Sequence, residues 1–112
     1  MNVSDVITRA RRILKDDFAP YRFSDAYMLA AYSDAQRELG RLRPDLLATS
    51  SFTVTTLSDV VSTSTASAFD ETMREALSYL TCEKVYLTES ADDGNLSMAS
   101  FMRKKFEEAM MK

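Results

Sequence analysis

The chain has 112 residues, of which 46% are hydrophobic and 28% are charged, and its formal net charge at pH 7 is −3. This composition predicts one globular domain with a single modest core, and the acidic balance argues against a dedicated nucleic-acid binder. The sequence has no apolar run long enough to cross a bilayer and no secretion signal, and its single cysteine fits a reducing cytoplasm.

Residues 4 to 15 are predicted to form the first helix, with Ser4 as the candidate N-cap. The apolar stripe of this helix consists of Val3, Val6, Ile7, Ala10, Ile13 and Leu14. A basic edge on the same helix consists of Arg9, Arg11, Arg12 and Lys15. We interpret this edge as a solvated helix face, and a phosphate-contacting strip is the alternative.

The second helix is predicted over residues 24 to 42, after a loop around Pro20. Ser24 can cap its first turn, and Asp25 places a carboxylate at the positive end of the helix dipole. Because Pro44 cannot continue the helix, we expect it to end near Leu42. One arc of roughly 100° holds the apolar side chains, which are Met28, Ala31, Tyr32, Ala35, Leu39 and Leu42. The opposite side carries Ser33, Asp34, Arg37, Glu38 and Arg41.

Residues 49 to 68 differ in composition, since twelve of these twenty positions are Ser or Thr. Thr and Val favour strands, and the alternation of side chains here predicts a β-hairpin that turns at Ser58-Asp59. A lone hairpin is marginally stable in water, so we expect it to lean on the helices or on a neighbouring molecule. The candidate residues for contact with a neighbouring molecule are Phe52, Val54 and Val60.

The third helix is predicted over residues 71 to 90, capped by Asp70, and it has two apolar faces. The first face consists of Met73, Ala76, Leu77, Leu80 and Leu87, and the second of Tyr79, Cys82, Val85 and Tyr86. Two faces need two packing partners, so the second must meet a sibling helix, the hairpin or another subunit. The candidate subunit contacts are Tyr79, Cys82 and Tyr86. Lys84 falls within the first stripe, where it must snorkel or find a carboxylate.

The fourth helix is predicted over residues 95 to 111, after a turn at Asp92 to Asn95. Its inward side chains are Ala99, Met102, Phe106 and Met110, and its outward ones Arg103, Lys104, Glu107 and Glu108, with Phe101 partly stranded among them. The predicted fold class is therefore all-α, a four-helix bundle of two helical hairpins with a short β-hairpin or loop between helices 2 and 3. The predicted core consists of Ile7, Leu14, Met28, Tyr32, Leu39, Leu77 and Leu80.

The residues expected of an enzyme are missing from this sequence. The chain contains no histidine, and only two glycines, so a glycine-rich phosphate loop is excluded. Cys82 lies in the middle of a predicted helix without a partner that would activate it. Asp16-Asp17 and Asp92-Asp93 are pairs of adjacent carboxylates, but adjacent side chains point in different directions and both pairs lie in predicted turns. We expect no enzymatic activity, no cofactor and no metal site.

Three short motifs resemble the head-tail connector (adaptor, or head completion) proteins of tailed bacteriophages. They are Arg22-Phe23-Ser24-Asp25, then Asp34-Ala35-Gln36-Arg37-Glu38, then Arg43-Pro44-Asp45. The first helix, with Val3 to Ala10 and Ile13-Leu14-Lys15-Asp16, and the closing pair of helices extend the resemblance to about two thirds of the chain. Longer family members carry a β-rich insertion after Arg-Pro-Asp, where this chain has only residues 46 to 69.

The resemblance implies a structural virion protein at the head-tail junction, made in the host cytoplasm. It implies a homo-oligomeric ring, a dodecamer by resemblance, that docks to the portal protein and joins it to the tail or the next connector protein. Phe52, Val54 and Val60 would then contact the tail or a neighbouring subunit, and DNA would pass through the ring without specific binding. By resemblance, the portal contacts lie at the C-terminal end, at Phe106, Met110, Met111 and Lys112. No membrane partner is implied.

The alternative function comes from a different class, that of helical nucleic-acid-binding modules such as a phage terminase small subunit or a helix-turn-helix regulator. The residues that would carry it are Arg9, Arg11, Arg12, Lys15 and Arg22. The salt dependence of DNA binding separates the two functions, because phosphate contacts weaken steeply as salt rises.

Overall fold

The computed structural model describes residues 1–16, 21–43, 45, 62, 67, 69, 71–88 and 93–111. Within these ranges the chain is all-α, with four helices and no strand. The helices are α1 (Val3–Leu14), α2 (Asp25–Leu42), α3 (Arg74–Thr88) and α4 (Asp93–Met110), and a 3-10 turn, Glu71–Met73, precedes α3. Nearly all of the predicted β-hairpin, residues 49–68, lies outside the described residues.

The ends of α1 and α2 follow local side-chain chemistry. α1 begins after Asn2, whose backbone N–H donates to the Asp5 carboxylate at 2.9 Å, so the prediction of Ser4 as the cap is wrong. Lys15 ends α1 with a left-handed backbone at φ 58°, as helix C-termini often do. α2 begins as predicted, because the Ser24 hydroxyl accepts a hydrogen bond from the Tyr27 N–H at 3.2 Å.

The last two helices differ from prediction at their first residues. The regular α-helix of α3 starts at Arg74, after the 3-10 turn, and the proposed cap Asp70 lies outside the described residues. α4 starts at Asp93, so residues 93–95 are helical where the sequence predicts the end of a turn. α4 is therefore longer at its N-terminus than its apolar stripe indicates.

α3 is the helix on which the other described helices pack. α1, α2 and α4 each contact α3, whereas α1 and α2 touch each other lightly and α4 packs on α3 alone. The buried residues of α3 are Ala76, Leu77, Ser78, Leu80, Thr81, Cys82, Glu83 and Val85. Its second apolar face meets α1, where the Cys82 thiol donates to the Ala10 carbonyl at 3.5 Å. The second packing partner is thus a sibling helix.

Most of the predicted core is confirmed. Six of the seven residues are buried, namely Ile7, Met28, Tyr32, Leu39, Leu77 and Leu80, and Leu14 is half-buried in the last turn of α1. Leu42 and Leu87 were expected in the apolar stripes but are 54% and 43% exposed, since each lies in the last turn of its helix. Ser33, expected outside, is buried and donates to the Leu29 carbonyl at 2.9 Å.

The residues just before α3 pack against the first two helices. The Ser67 N–H donates to the Met1 carbonyl at 3.0 Å, and the Ser67 and Tyr32 hydroxyls lie 2.7 Å apart. Phe69 is buried in the core. The end of the Ser/Thr-rich segment is therefore anchored to the start of α1 and to α2.

Leu39 and Leu42 provide a matched test of the packing of α2. Leu39 is completely buried, so Leu39→Ala should lower the free energy of unfolding by about 2–5 kcal/mol. Leu42→Ala, at a mostly exposed position on the same helix, should change it by less than about 0.5 kcal/mol. Urea unfolding followed by circular dichroism measures both, and equal losses would contradict the observed direction of α2.

Candidate functional site

Four charged side chains join α2, α3 and α4 in one group, here called the ionic cluster: Glu38, Glu83, Lys84 and Arg103. Lys84 Nζ donates to Glu38 Oε1 at 2.5 Å and lies 3.7 Å from Glu83 Oε1. Arg103 Nη2 donates to Glu83 Oε1 at 2.8 Å, and its guanidinium also pairs with Glu38. The charges of two acidic and two basic side chains thus balance each other in a partly buried position.

The ionic cluster gives Lys84 the carboxylate that the sequence analysis required. The Glu83 side chain is only 4% exposed, so its charge depends on protein partners rather than on water. Glu38 was expected on the polar side of α2, and Arg103 on the outside of α4. Instead, both side chains reach the edge of α3, and the cluster links α4 to α2 although the backbones of these two helices do not come close to each other.

The pKa of Glu38 is lowered from its usual 4.5. Burial by itself raises the pKa of this carboxyl, but hydrogen bonds from Arg103 and Lys84, with their positive charges, outweigh the burial. The pKa of Arg103 is raised, first because of its hydrogen bond to Glu38. The cluster therefore holds Glu38 ionised and contributes to stability wherever that carboxylate is charged in the folded protein.

A second network, here called the Arg11 network, fixes the loop between α1 and α2. The buried Arg11 guanidinium donates to Asp16 Oδ2 at 2.8 Å, to the Phe23 carbonyl at 2.9 Å and to Asp25 Oδ1 at 2.9 Å. Asp16 in turn accepts from the backbone N–H groups of Arg22 at 2.6 Å and Phe23 at 3.1 Å. Each oxygen of the buried Asp16 carboxylate is thereby satisfied.

The Arg11 network changes the interpretation of the basic edge on α1. Arg11 is buried and serves structure, and Arg9 pairs with Glu75 of α3 at 2.8 Å. Only Arg12 and Lys15 of the four cations are exposed. The edge is therefore less basic at the surface than the sequence indicates.

The predicted subunit contacts on α3 separate into two kinds. Cys82 is completely buried against α1, so its prediction as a subunit contact is wrong. Burial raises the pKa of this thiol to about 12, which keeps it protonated and unreactive. Tyr79 and Tyr86 are half-buried and keep part of their rings at the surface. Tyr79 also lines a groove of about 310 Å³ beside Lys105 and Ala109.

The predicted portal contacts at the C-terminal end separate in the same way. Phe106 is buried in the core, because the α4 stripe turns it toward α3, and its prediction as a portal contact is wrong. Met110 is half-buried and Met111 is 87% exposed. Lys112 lies outside the described residues, as do Phe52, Val54 and Val60. The surface available for a partner at this end is therefore formed by the two methionines.

One flank of α4 carries an apolar groove, here called the Arg103 groove. Its first part, about 380 Å³, is lined by Glu83, Leu87, Leu96, Ala99, Ser100 and Arg103. Its second part, about 340 Å³, continues past Arg103 and is lined by Leu42, Arg43, Phe106, Glu107 and Met110. The exposed leucines at positions 42, 87 and 96 form its rims. Sequence analysis missed this groove, because helical periodicity assigns Leu42 and Leu87 to the core.

The other flank of α4 carries a projection, here called the α4 knob, formed by Met98 and Phe101. These side chains are 38% and 47% exposed, and Lys105 Nζ lies 5.4 Å from the centre of the Phe101 ring. The sequence analysis placed Phe101 partly among outward polar residues, and the structure agrees. Together the two side chains form a small exposed apolar patch.

The described residues contain neither a cluster of metal ligands nor a membrane-spanning helix. No group of three or more Cys, Asp or Glu side chains that could hold a metal ion occurs among them. In the same part of the chain, no helix is both long enough and apolar enough to span a bilayer.

Comparison with known proteins adds no family assignment: no protein-family model, no curated protein and no solved structure matches this chain.

The lowered pKa of Glu38 makes a specific prediction for stability against pH. In the folded state this carboxyl binds a proton less readily than in the unfolded state, so its contribution is present above pH 4.5 and is lost as pH falls through the folded-state pKa. Glu38→Gln should therefore be less stable than the wild type near neutral pH, and the difference should shrink below pH 4.5.

Urea unfolding at a series of pH values measures this difference. Glu107→Gln is the matched control, because Glu107 is exposed and forms no ion pair with another described residue. It should follow the wild type within about 0.5 kcal/mol. A stability gap between wild type and Glu38→Gln that stays constant down to acid pH would show that the charge of Glu38 contributes nothing.

Proposed function

We propose that this chain is a structural virion protein of a tailed bacteriophage, a connector that assembles into a ring, docks to the portal of the filled head and joins it to the tail. The single observation that carries the proposal is the Arg11 network. It links the stretches on which the resemblance rests, since Asp16 ends the first and Arg22, Phe23 and Asp25 belong to the second. Motif residues support a resemblance more strongly when they contact each other in the structure than when they lie far apart.

Exposed apolar side chains support the proposal from another direction. The rims of the Arg103 groove and the α4 knob both belong to α4 or its immediate neighbours, and they lie on a domain of only 112 residues. A monomer that worked alone would gain nothing from such patches and would risk aggregation. Subunits in a ring cover them.

The finer features of the proposal extend the sequence analysis. The four helices form a bundle, and the segment around residues 49–68 forms a hairpin with Phe52, Val54 and Val60 toward the tail or a neighbour. Tyr79 and Tyr86 contribute to subunit contacts, and Met110, Met111 and Lys112 contact the portal. The ring is a dodecamer, as in the family, and its acidic subunits repel the DNA that passes through it. The protein is in the virion at the head-tail junction and in the host cytoplasm before assembly.

The structure gives little support to the alternative function, that of a nucleic-acid-binding module. Arg11 is buried and Arg9 is paired with Glu75 at the surface, so two of the cations that would contact phosphates already have partners within the protein. We therefore expect weak DNA binding or none, and fluorescence anisotropy with a labelled duplex at low salt measures it. Tight binding that weakens steeply with added salt, and that Arg12→Ala reduces, would favour the alternative.

Portal docking can be tested with a change that spares the fold. Met111 is almost completely exposed and follows the last residue of α4, so Met111→Glu should leave stability unchanged. It should reduce binding to portal-containing heads at least tenfold, because a charge would enter an apolar contact. Co-sedimentation of the protein with heads from the virus that encodes it measures the binding.

Ala30→Glu is the matched control, since Ala30 is an exposed apolar residue on α2. It should bind heads like the wild type. Equal binding by all three proteins would move the portal contact away from the C-terminal end. A wild type that binds no portal-containing heads at all would refute the proposed function.

A further inference from the structure

We propose that copies of this chain join head to tail through α4, with the α4 knob of one copy seated in the Arg103 groove of the next. The inference rests on the proposed function in that it names the partner of the exposed apolar surfaces as a second copy of the chain. It goes beyond that function by naming the residues on each side of the contact. They take the place of Cys82, which the sequence predicts as a subunit contact but which is buried in the core.

The positions of the two surfaces on α4 give the first argument. At about 100° per residue, Leu96 and Met110 lie on one side of the helix, and Met98 and Phe101 lie on roughly the opposite side. The core-facing stripe, with Ala99, Met102 and Phe106, runs between them. The two surfaces therefore face in different directions on one rigid helix and cannot satisfy each other within a subunit.

The shapes of the two surfaces give the second argument. Phe101 projects from the knob, whereas Ala99 and Ser100 are small and leave space between Leu87 and Leu96 in the groove. The first part of the groove, about 380 Å³, has room for an aromatic ring and a thioether. A projecting apolar group and an apolar recess on the same molecule form a complementary pair.

Charge gives the third argument. Lys104 lies one turn from Phe101 beside the knob, and Glu107 lines the groove. Both are exposed, and neither forms an ion pair with another described residue. The ionic cluster at the floor of the groove is balanced, and Arg43 in the groove lining pairs with Asp45 at 2.9 Å. Glu107 therefore gives the groove side a net negative charge. The contact of a knob with a groove would bring Lys104 of one copy near Glu107 of the other.

Two different surfaces on opposite flanks produce a heterologous contact. A pair of subunits does not saturate such a contact. An open chain of subunits keeps a free knob at one end and a free groove at the other until it closes on itself. A two-fold contact would instead place the same surface on both partners. Opposed, complementary surfaces are the arrangement that a closed ring requires.

Mixing two defective variants tests this inference. Phe101→Glu places a charge on the knob and leaves the groove intact, and Leu96→Glu does the reverse. Each variant alone should stay monomeric at concentrations where the wild type forms higher oligomers. An equimolar mixture should form one-to-one dimers and nothing larger, because only one intact knob and one intact groove can meet. Native mass spectrometry distinguishes the two variants by mass.

Three results would overturn the inference: a wild type that stays monomeric at the highest soluble concentration, an unaffected assembly in either variant, or a mixture that forms no dimers. Met111→Glu is the control, since Met111 is exposed just after the end of α4 and lines neither surface, and it should assemble like the wild type. Circular dichroism of each variant must match the wild type, and both substituted positions are more than 40% exposed.

Failure of this inference and failure of the proposed function give different results. If wild-type protein binds portal-containing heads and both variants still assemble on them, the connector function stands and the ring uses other surfaces. If the mixture forms dimers while the wild type binds no heads, the head-to-tail contact stands and the connector function is refuted.

Discussion

The structure depends on one constraint: α3 is packed by three other helices, so each polar group on its covered faces must find a partner inside the protein. The Ser78 and Thr81 hydroxyls donate to carbonyls of their own helix, each at 2.7 Å. Glu83 and Lys84 cannot do so, and they find Arg103 on α4 and Glu38 on α2. The need to satisfy two charges on a central helix thus sets how α2 and α4 lie along it.

Much of the fold could be predicted from the sequence, because helix ends and apolar stripes are local properties. α2 begins after its Ser24 cap and ends at Leu42, as predicted, and the periodicity of its apolar residues identified Met28, Tyr32 and Leu39 as core. The predicted start of α1 was wrong because another local signal was stronger. The reciprocal hydrogen bonds between Asn2 and Asp5 start α1 earlier than the Ser4 hydroxyl would.

The candidate surfaces could be predicted only in part, because periodicity gives a direction around a helix and not the length of the neighbour that covers it. Leu42 and Leu87 point the expected way but lie beyond the packed part of their helices, so they became rims of a groove. Cys82 shows the opposite error. The sequence assigns no packing partner to its apolar face, and in the structure α1 covers that face. Lys84 in an apolar stripe was the one sequence signal that pointed to the ionic cluster.

The central place of α3 also determines when the protein can fold. Ala10 and Cys82 are 72 positions apart in the chain, and α1 and α2 touch each other only lightly. During synthesis, the first two helices therefore emerge without the surface that buries them, and their apolar stripes stay exposed until residue 88 has left the ribosome. The contacts between α3 and α4 are close in sequence and form fast, whereas the return of α1 closes a long loop and is slow. Assembly of the domain waits for its third helix.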